Sequence, residues 1–263
     1  MTLPALSNWE KTREALHQAA QVIGGVRRAV ADPEPNWAHL GLQVLPEGLT
    51  TGPLSVGECR LHFPELKILY LHDGRAAEVS IAGHSQRSLA DALEAALAAA
   101  GHENALDRGK ITGETSLEPD RRTATEYAGA LHLVWQALGR LRSSLPGDKS
   151  PLVLWPHGFD AAFLWFAQPG RTSEEQDPHM GFGFSPGSAG LARPYFYSYP
   201  HPVPDGLAEV ALPPGVRLHT QGWTGTVLDY DAVSQSADPA AAIQESLRAT
   251  FEAVSPLMAH GAS

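Results

Sequence analysis

The amino-acid sequence predicts an α+β fold: two related helix–strands–helix halves, mainly antiparallel sheet with helices packed against it. The first observation behind this is a repeat, the feature to look for before any other. The string L-H-x-x-x-Q-x-x-G-x-x-R occurs at Leu16, His17, Gln21, Gly24 and Arg27, and again at Leu131, His132, Gln136, Gly139 and Arg142. Every member is displaced by 115 positions, from Leu16 to Leu131, and Ala15 and Ala130 agree at the same offset. A W-x-H follows each copy, as Trp37-Ala38-His39 and Trp155-Pro156-His157. The second observation is that each copy lies on a segment with helical spacing of apolar residues. The third is that each is followed by short alternating segments split by turn signals, the pattern of antiparallel strands.

The elements follow in order. Ser7 or Asn8 is positioned to cap a first helix that runs to about Val30 and stops at Asp32-Pro33-Glu34-Pro35. Its apolar face is Leu16, Ala19, Val22, Ile23, Val26 and Val30, with His17, Gln21 and Gly24 on a separate stripe. Strands are expected at Leu40–Leu45, Cys59–Phe63, Leu66–Leu71 and Ala76–Ile81, with a hairpin turn at His72-Asp73-Gly74-Arg75. Ser88 is positioned to cap a helix carrying Leu89, Leu93 and Leu97 and ended by Gly101, which closes the half 1–101. Residues 102–120 are polar and aperiodic, and are expected to be a lightly bonded surface link. The second half, 121–263, opens with a helix from about Thr123 to Leu145 that is apolar nearly all round. Strands follow at Leu152–Trp155, Ala161–Ala167, Gly181–Ser185, Arg193–Tyr199, Val216–Thr220 and Trp223–Tyr230. Five prolines make Pro200–Pro214 irregular, and Asp238-Pro239 starts a last helix carrying Ile243, Leu247 and Phe251. The two halves are expected to superpose, with Gly24 and Gly139 marking a close approach of the motif helices.

Composition narrows the class of function. A chain of 263 residues with 43% hydrophobic and 18% charged content is long enough to bury a full core. The balance of 19 basic to 29 acidic residues, a net charge of −10, argues against nucleic acid or an anionic membrane as partner. Cys59 is the sole cysteine, so neither an internal disulfide nor a thiolate zinc site is available. The segment Met1–Asn8 lacks the features of a signal peptide, and no apolar run approaches the ~20 residues of a membrane span. A soluble cytoplasmic protein is expected.

Several motifs bear on chemistry. Gly183-Phe184-Ser185-Pro186-Gly187 matches the G-x-S-x-G of serine hydrolases, but that elbow needs a following helix and an N–H on the next residue. Pro186 supplies neither, so a strand ending in a turn is expected. His157 and Asp160 form an H-x-x-D whose members can meet in a turn, as an acid–base or metal-binding pair or as a hydrogen bond tying the turn. His157, Asp160, His179 and His219 show no local metal-ligand spacing, and no metal site is assigned. Tyr195, Tyr197 and Tyr199 share one face of a strand at period two. With Trp155, His219 and Trp223 they can line an aromatic pocket with polar tips.

At Trp155-Pro156-His157-Gly158-Phe159-Asp160 the chain resembles a bacterial family of uncharacterised proteins, a domain of unknown function, over nearly its whole length. The resemblance is carried by W-P-H-x-F-D at Trp155–Asp160, S-P-G at Ser185–Gly187, P-Y-x-Y at Pro194–Tyr197 and H-x-x-G-W at His219–Trp223. The opening L-H-x-x-x-Q-x-x-G-x-x-R and Gly48-Leu49-Thr50-Thr51-Gly52-Pro53 fit as well. Family members commonly carry a second histidine where this chain has Gly158. The resemblance implies a soluble bacterial protein and no particular activity or cofactor.

The functional expectation is a small-molecule-binding protein with its site in the second half, at Trp155, Tyr195, Tyr197, His219 and Trp223. An enzyme using His157 and Asp160 is the alternative, and a protein-binding scaffold the next. No motif names a cofactor or sets the oligomeric state.

Overall fold

The structure, a computed structural model, describes residues 2–260 and is α+β, with two antiparallel sheets of five and six strands. Helix α1 spans Glu10–Val30, and its N-cap is Trp9, with no side-chain cap bond from the expected Ser7 or Asn8. Its buried face carries Leu16, Ala19, Val22, Ile23 and Val26 as the spacing predicts. Strands β1 (Gln43–Leu45), β2 (Gly48–Thr50), β3 (Glu58–His62), β4 (Lys67–His72) and β5 (Arg75–Ser80) form a simple meander. The β4–β5 hairpin pairs His72 with Arg75 across Asp73 and Gly74, both at positive φ, the conformation a two-residue type I′ turn demands. Helix α2 is Gln86–Ala99; Ser85 is its cap, and the expected Ser88 is the reciprocal partner of a capping box.

Helix α3 (Arg121–Ser144) leads to β6 (Val153–Trp155), β7 (Asp160–Phe166), β8 (His179–Ser185) and β9 (Tyr195–His201). Strands β10 (Val216–His219) and β11 (Gly225–Asp229), the short helix α4 (Tyr230–Ser234) and α5 (Pro239–His260) complete the chain. The six-stranded sheet runs β10-β11-β9-β8-β7-β6, so its last two strands cross over where the first sheet does not. Strand β9 extends through Pro200 to His201, further than the expected irregular proline segment allowed. Asp238 caps α5, its carboxylate accepting from Ala241 N at 3.1 Å.

The chain divides into two compact units. One comprises Leu6–His132 with Leu154–Phe159; the other comprises Met1–Ala5, Leu133–Val153 and Asp160–Ser263. Residues 102–120 are not the lightly bonded link expected. Ala105, Leu106, Ile111 and Leu117 are buried, and Leu117 exchanges backbone bonds with Gly83 and His84. Asp107 pairs with Arg28 at 2.6 Å, and the amides of Thr112 and Gly113 donate to Gln86 Oε1. An irregular backbone is tolerable inside a core only when its polar groups are paired in this way.

In the second unit, α5 packs on β8 and β9 over one face of the sheet. Phe251 meets Trp165 edge-on at 4.9 Å and lies 6.4 Å from Phe182, which stacks on Phe163 at 5.5 Å. The opposite face of the sheet carries the tyrosines.

Candidate functional site

The repeated helix motif has a definite task in its first copy. A Cβ on Gly24 would fall 2.7 Å from the Pro156 ring, so the missing side chain makes room for that proline. His17 Nε2 lies 3.1 Å from the carbonyl oxygens of both Pro156 and His157, which accept from it. Its ring stacks on Phe159 at 5.4 Å and 10°. The Gln21 amide nitrogen is 3.1 Å from the same imidazole nitrogen, and Gln21 Oε1 accepts from Gln86 at 2.6 Å. Leu154 exchanges both backbone bonds with Leu42 at 2.8 Å. Arg27 donates to His39 O and Thr51 O. The motif therefore grips the segment Leu154–Phe159. In the second copy, Gly139 meets nothing closer than Leu152 at 4.0 Å and Arg142 donates to Ser150 O. The two glycines are thus not spaces for a mutual helix crossing, as the sequence alone suggested; what sits on Gly24 is a proline from a loop.

Burial lowers the His17 pKa, outweighing Glu14 and the two carbonyl contacts, which raise it. Burial lowers that of His179 likewise. The unfolded chain then takes up the proton first, near the ordinary histidine value of about 6.5. Stability present above that pH is expected to be lost as pH falls through the lower folded-state values. Urea midpoints measured from pH 7.5 to 5 should fall on acidification, and His17→Gln should flatten the curve. A wild-type midpoint constant over that range would contradict the assignment.

On the tyrosine face of the second unit, Gly183 pairs with Tyr197 and Gly181 with Tyr199 across β8 and β9. Each tyrosine ring lies over its partner glycine: a Cβ on Gly181 would be 2.2 Å from the Tyr199 ring, and one on Gly183 2.4 Å from Tyr197 Cζ. The rings occupy the space that ordinary side chains on β8 would fill. Tyr197 Oη donates to Asp160 Oδ2 at 2.5 Å, and Tyr195 Oη is 2.9 Å from Ser188 Oγ. Trp223 stands edge-on to Tyr197 at 6.2 Å and packs on His219 at 4.5 Å. His219 Nε2 donates to Gln221 O at 2.8 Å, which fixes the imidazole against the indole. Burial, reinforced by the Asp160 charge, pushes the Tyr197 phenol well above its ordinary value. Burial, then Glu174 and Asp160, does the same to Tyr199. Both phenols stay protonated donors at neutral pH.

The structure thus brings together Asp160, Tyr195, Tyr197, His219 and Trp223 in the second unit. Trp155 and His157 belong to the first unit, in the segment that α1 holds. The His157 ring is exposed and lies 6.0 Å from the Trp155 ring, while its backbone carbonyl is the group His17 binds. Sequence reasoning missed Gly181, Gly183 and Glu174. The alternation G-F-G-F in β8 beside Y-F-Y-S-Y in β9 was a usable signal for the first two.

A family model described as a family of unknown function (DUF5996) matches residues 2–261. The chain belongs to this family. No curated protein and no solved structure matches it. Within this DUF5996 member, Ser185 ends β8 and accepts from Gly187 N at 3.3 Å, so the G-x-S-x-G string forms a turn and not a nucleophile elbow. Among the described residues no three His, Cys, Asp or Glu side chains are grouped to hold a metal ion. Burial pushes the Cys59 thiol up to about 12, which leaves it protonated. No helix among the described residues is long and apolar enough to cross a membrane.

Proposed function

We propose that this DUF5996 member binds a small organic molecule on the tyrosine face of its second sheet, working in the cytoplasm of a bacterium. The observation that carries the reading is the Tyr197–Asp160 hydrogen bond set among Tyr195, Tyr199 and Trp223. Flat apolar rings supply contact area while a few fixed polar groups orient a ligand, the usual make-up of a small-molecule site. We read the W-P-H-x-F-D segment as a family signature with two roles: Trp155–Phe159 is architecture, and Asp160 belongs to the site. The repeated motif supports descent of the two halves from one ancestor.

Native mass spectrometry of freshly purified protein is expected to show a retained adduct. Tyr197→Phe removes one charge-assisted hydrogen bond, a loss of about 1.5 kcal/mol, and should shed the adduct while the protein stays folded. A bare-chain mass for the wild type, with no spectral change on Tyr197→Phe, would sink the reading.

A further inference from the structure

We propose that the first unit holds a second ligand site, a cleft between the β2–β3 loop and the β4–β5 hairpin that takes a small organic monocarboxylate. Arg75 pairs with the carboxylate, and Leu54 and Leu71 cover an apolar body. The assignment is independent of the tyrosine face, with which it shares no residue.

The cleft has a volume of about 510 Å³, within the range of small-molecule pockets, and lies between residues 53–58 and residues 71–76. Gly48-Leu49-Thr50-Thr51-Gly52-Pro53 shapes its first side. Thr51 Oγ1 accepts from Cys59 N at 3.0 Å. Thr50 Oγ1 accepts from Gly52 N at 2.8 Å and donates to Glu58 Oε1 at 2.6 Å. Beyond this string Leu54 and Gly57 exchange both backbone bonds, at 2.9 and 3.0 Å, so the loop is a closed turn. Gly57, at φ 104°, lets that turn sit against β4, since a Cβ there would fall 2.4 Å from Leu71 O. Tyr70 Oη donates to Val56 O at 2.6 Å and pins the turn to the same strand. The second side is the tight β4–β5 hairpin. Both walls are set by bonds within the protein, so a ligand meets a site that is already ordered.

Charge selects the ligand. Glu58, His72, Asp73 and Arg75 are the ionisable side chains that line the cleft. The Glu58 carboxylate accepts from Arg60 Nε at 2.7 Å and from Arg60 Nη2 at 3.0 Å, besides Thr50. Asp73 Oδ2 lies 3.1 Å from His72 Nε2. Arg75 is exposed, and among the described residues its guanidinium has neither an ion pair nor a hydrogen-bond partner. A guanidinium presents a planar fork that fits the oxygens of a carboxylate or a phosphate. The walls decide between these. A phosphate monoester carries close to two negative charges and would set them beside Glu58 and Asp73, with one free guanidinium in return. A monocarboxylate matches Arg75 charge for charge. Its tail gains by taking the half-buried Leu54 and Leu71, with Pro53 and Ala76, out of water. An ammonium would instead compete with Arg60 and His72 for carboxylates that are already bonded.

The test is a titration of the full-length protein at pH 7, followed by amide chemical shifts, with hexanoate, hexanol, hexylamine and inorganic phosphate. Straight-chain probes avoid the ring stacking that would draw an aromatic one to the tyrosines. Hexanoate is expected to shift the amides of residues 54–58 and 71–76 and to bind at least about fivefold more tightly than the other three. Arg75→Gln removes the charge at an exposed position, and should weaken hexanoate at least about fivefold while leaving hexanol unchanged. Leu54→Ser should weaken hexanoate and hexanol alike. Hexanol, hexylamine or phosphate binding as tightly as hexanoate overturns the assignment, as do shifts centred outside the two segments. Hexanoate affinity unmoved by Arg75→Gln overturns it too, as does the lack of any shift up to about 20 mM. None of these outcomes touches the tyrosine-face reading, whose adduct and Tyr197 variant belong to the other unit.

Discussion

Phe159→Ala is expected to destabilise the protein by about 3–5 kcal/mol, the cost of emptying a well-packed aromatic position. Phe159 is 1% exposed and stands among His17, Tyr127 and Phe63, with ring centroids at 5.4, 5.7 and 6.5 Å. His17 on α1, Tyr127 on α3 and Phe63 just after β3 are fixed by their own backbones, so the cavity cannot close cheaply. The residue also holds a positive φ of 56° at the end of a turn closed by its amide on Trp155 O at 2.8 Å. Two residues away, the exposed His157 ring gives the contrast. His157→Ala should change stability by no more than about 0.5 kcal/mol, as surface substitutions usually do. Urea denaturation of the two variants decides the matter. If Phe159→Ala costs less than about 1 kcal/mol, the W-P-H-x-F segment is not the structural plug that its contacts describe.

That contrast shows where sequence reading stops. Helix and strand periodicity was legible because it depends on residues within a few positions: Val30, Leu97 and Asp238-Pro239 fall where local patterns put them. The three-residue β2 was missed, being too short for alternation to register. Ser85 and Ser88 each offer a capping oxygen, and only the backbone shows which stands at the cap. The irregular spacing of Leu106, Ile111 and Leu117 concealed a buried segment, because aperiodic chain becomes core only through distant partners such as Gln86. The same holds for Gly24. A glycine announces a missing side chain but not its filler, and Pro156 lies 132 positions further along the chain. For the site, the tyrosine alternation was legible, whereas the bond from Tyr197 to Asp160 joins residues 37 positions apart on β9 and β7, the two strands that flank β8.

Gly183→Val is expected to cost about 3 kcal/mol, the upper end of the range for overpacking, although local preference argues the other way. Valine suits a strand better than glycine, by up to about 1 kcal/mol on the scale of strand propensities. Sterics outweigh that gain. The first atom of the new side chain would lie 2.4 Å from Tyr197 Cζ, 2.5 Å from its hydroxyl and 2.7 Å from the backbone oxygen of Ala161. The tyrosine can swing away, but the Ala161 carbonyl belongs to the neighbouring strand β7 and cannot move without it. Displacing Tyr197 breaks its bond to Asp160, so ligand retention should be lost along with stability. The double variant Gly183→Val/Tyr197→Ala separates the two contacts. Removing the ring should make the valine less costly than it is in the wild-type background, a coupling of at least about 1 kcal/mol. The contact with Ala161 persists, so recovery should be partial. Additive costs in that cycle, or a Gly183→Val protein more stable than wild type, would show that the tyrosine does not rest on the glycine.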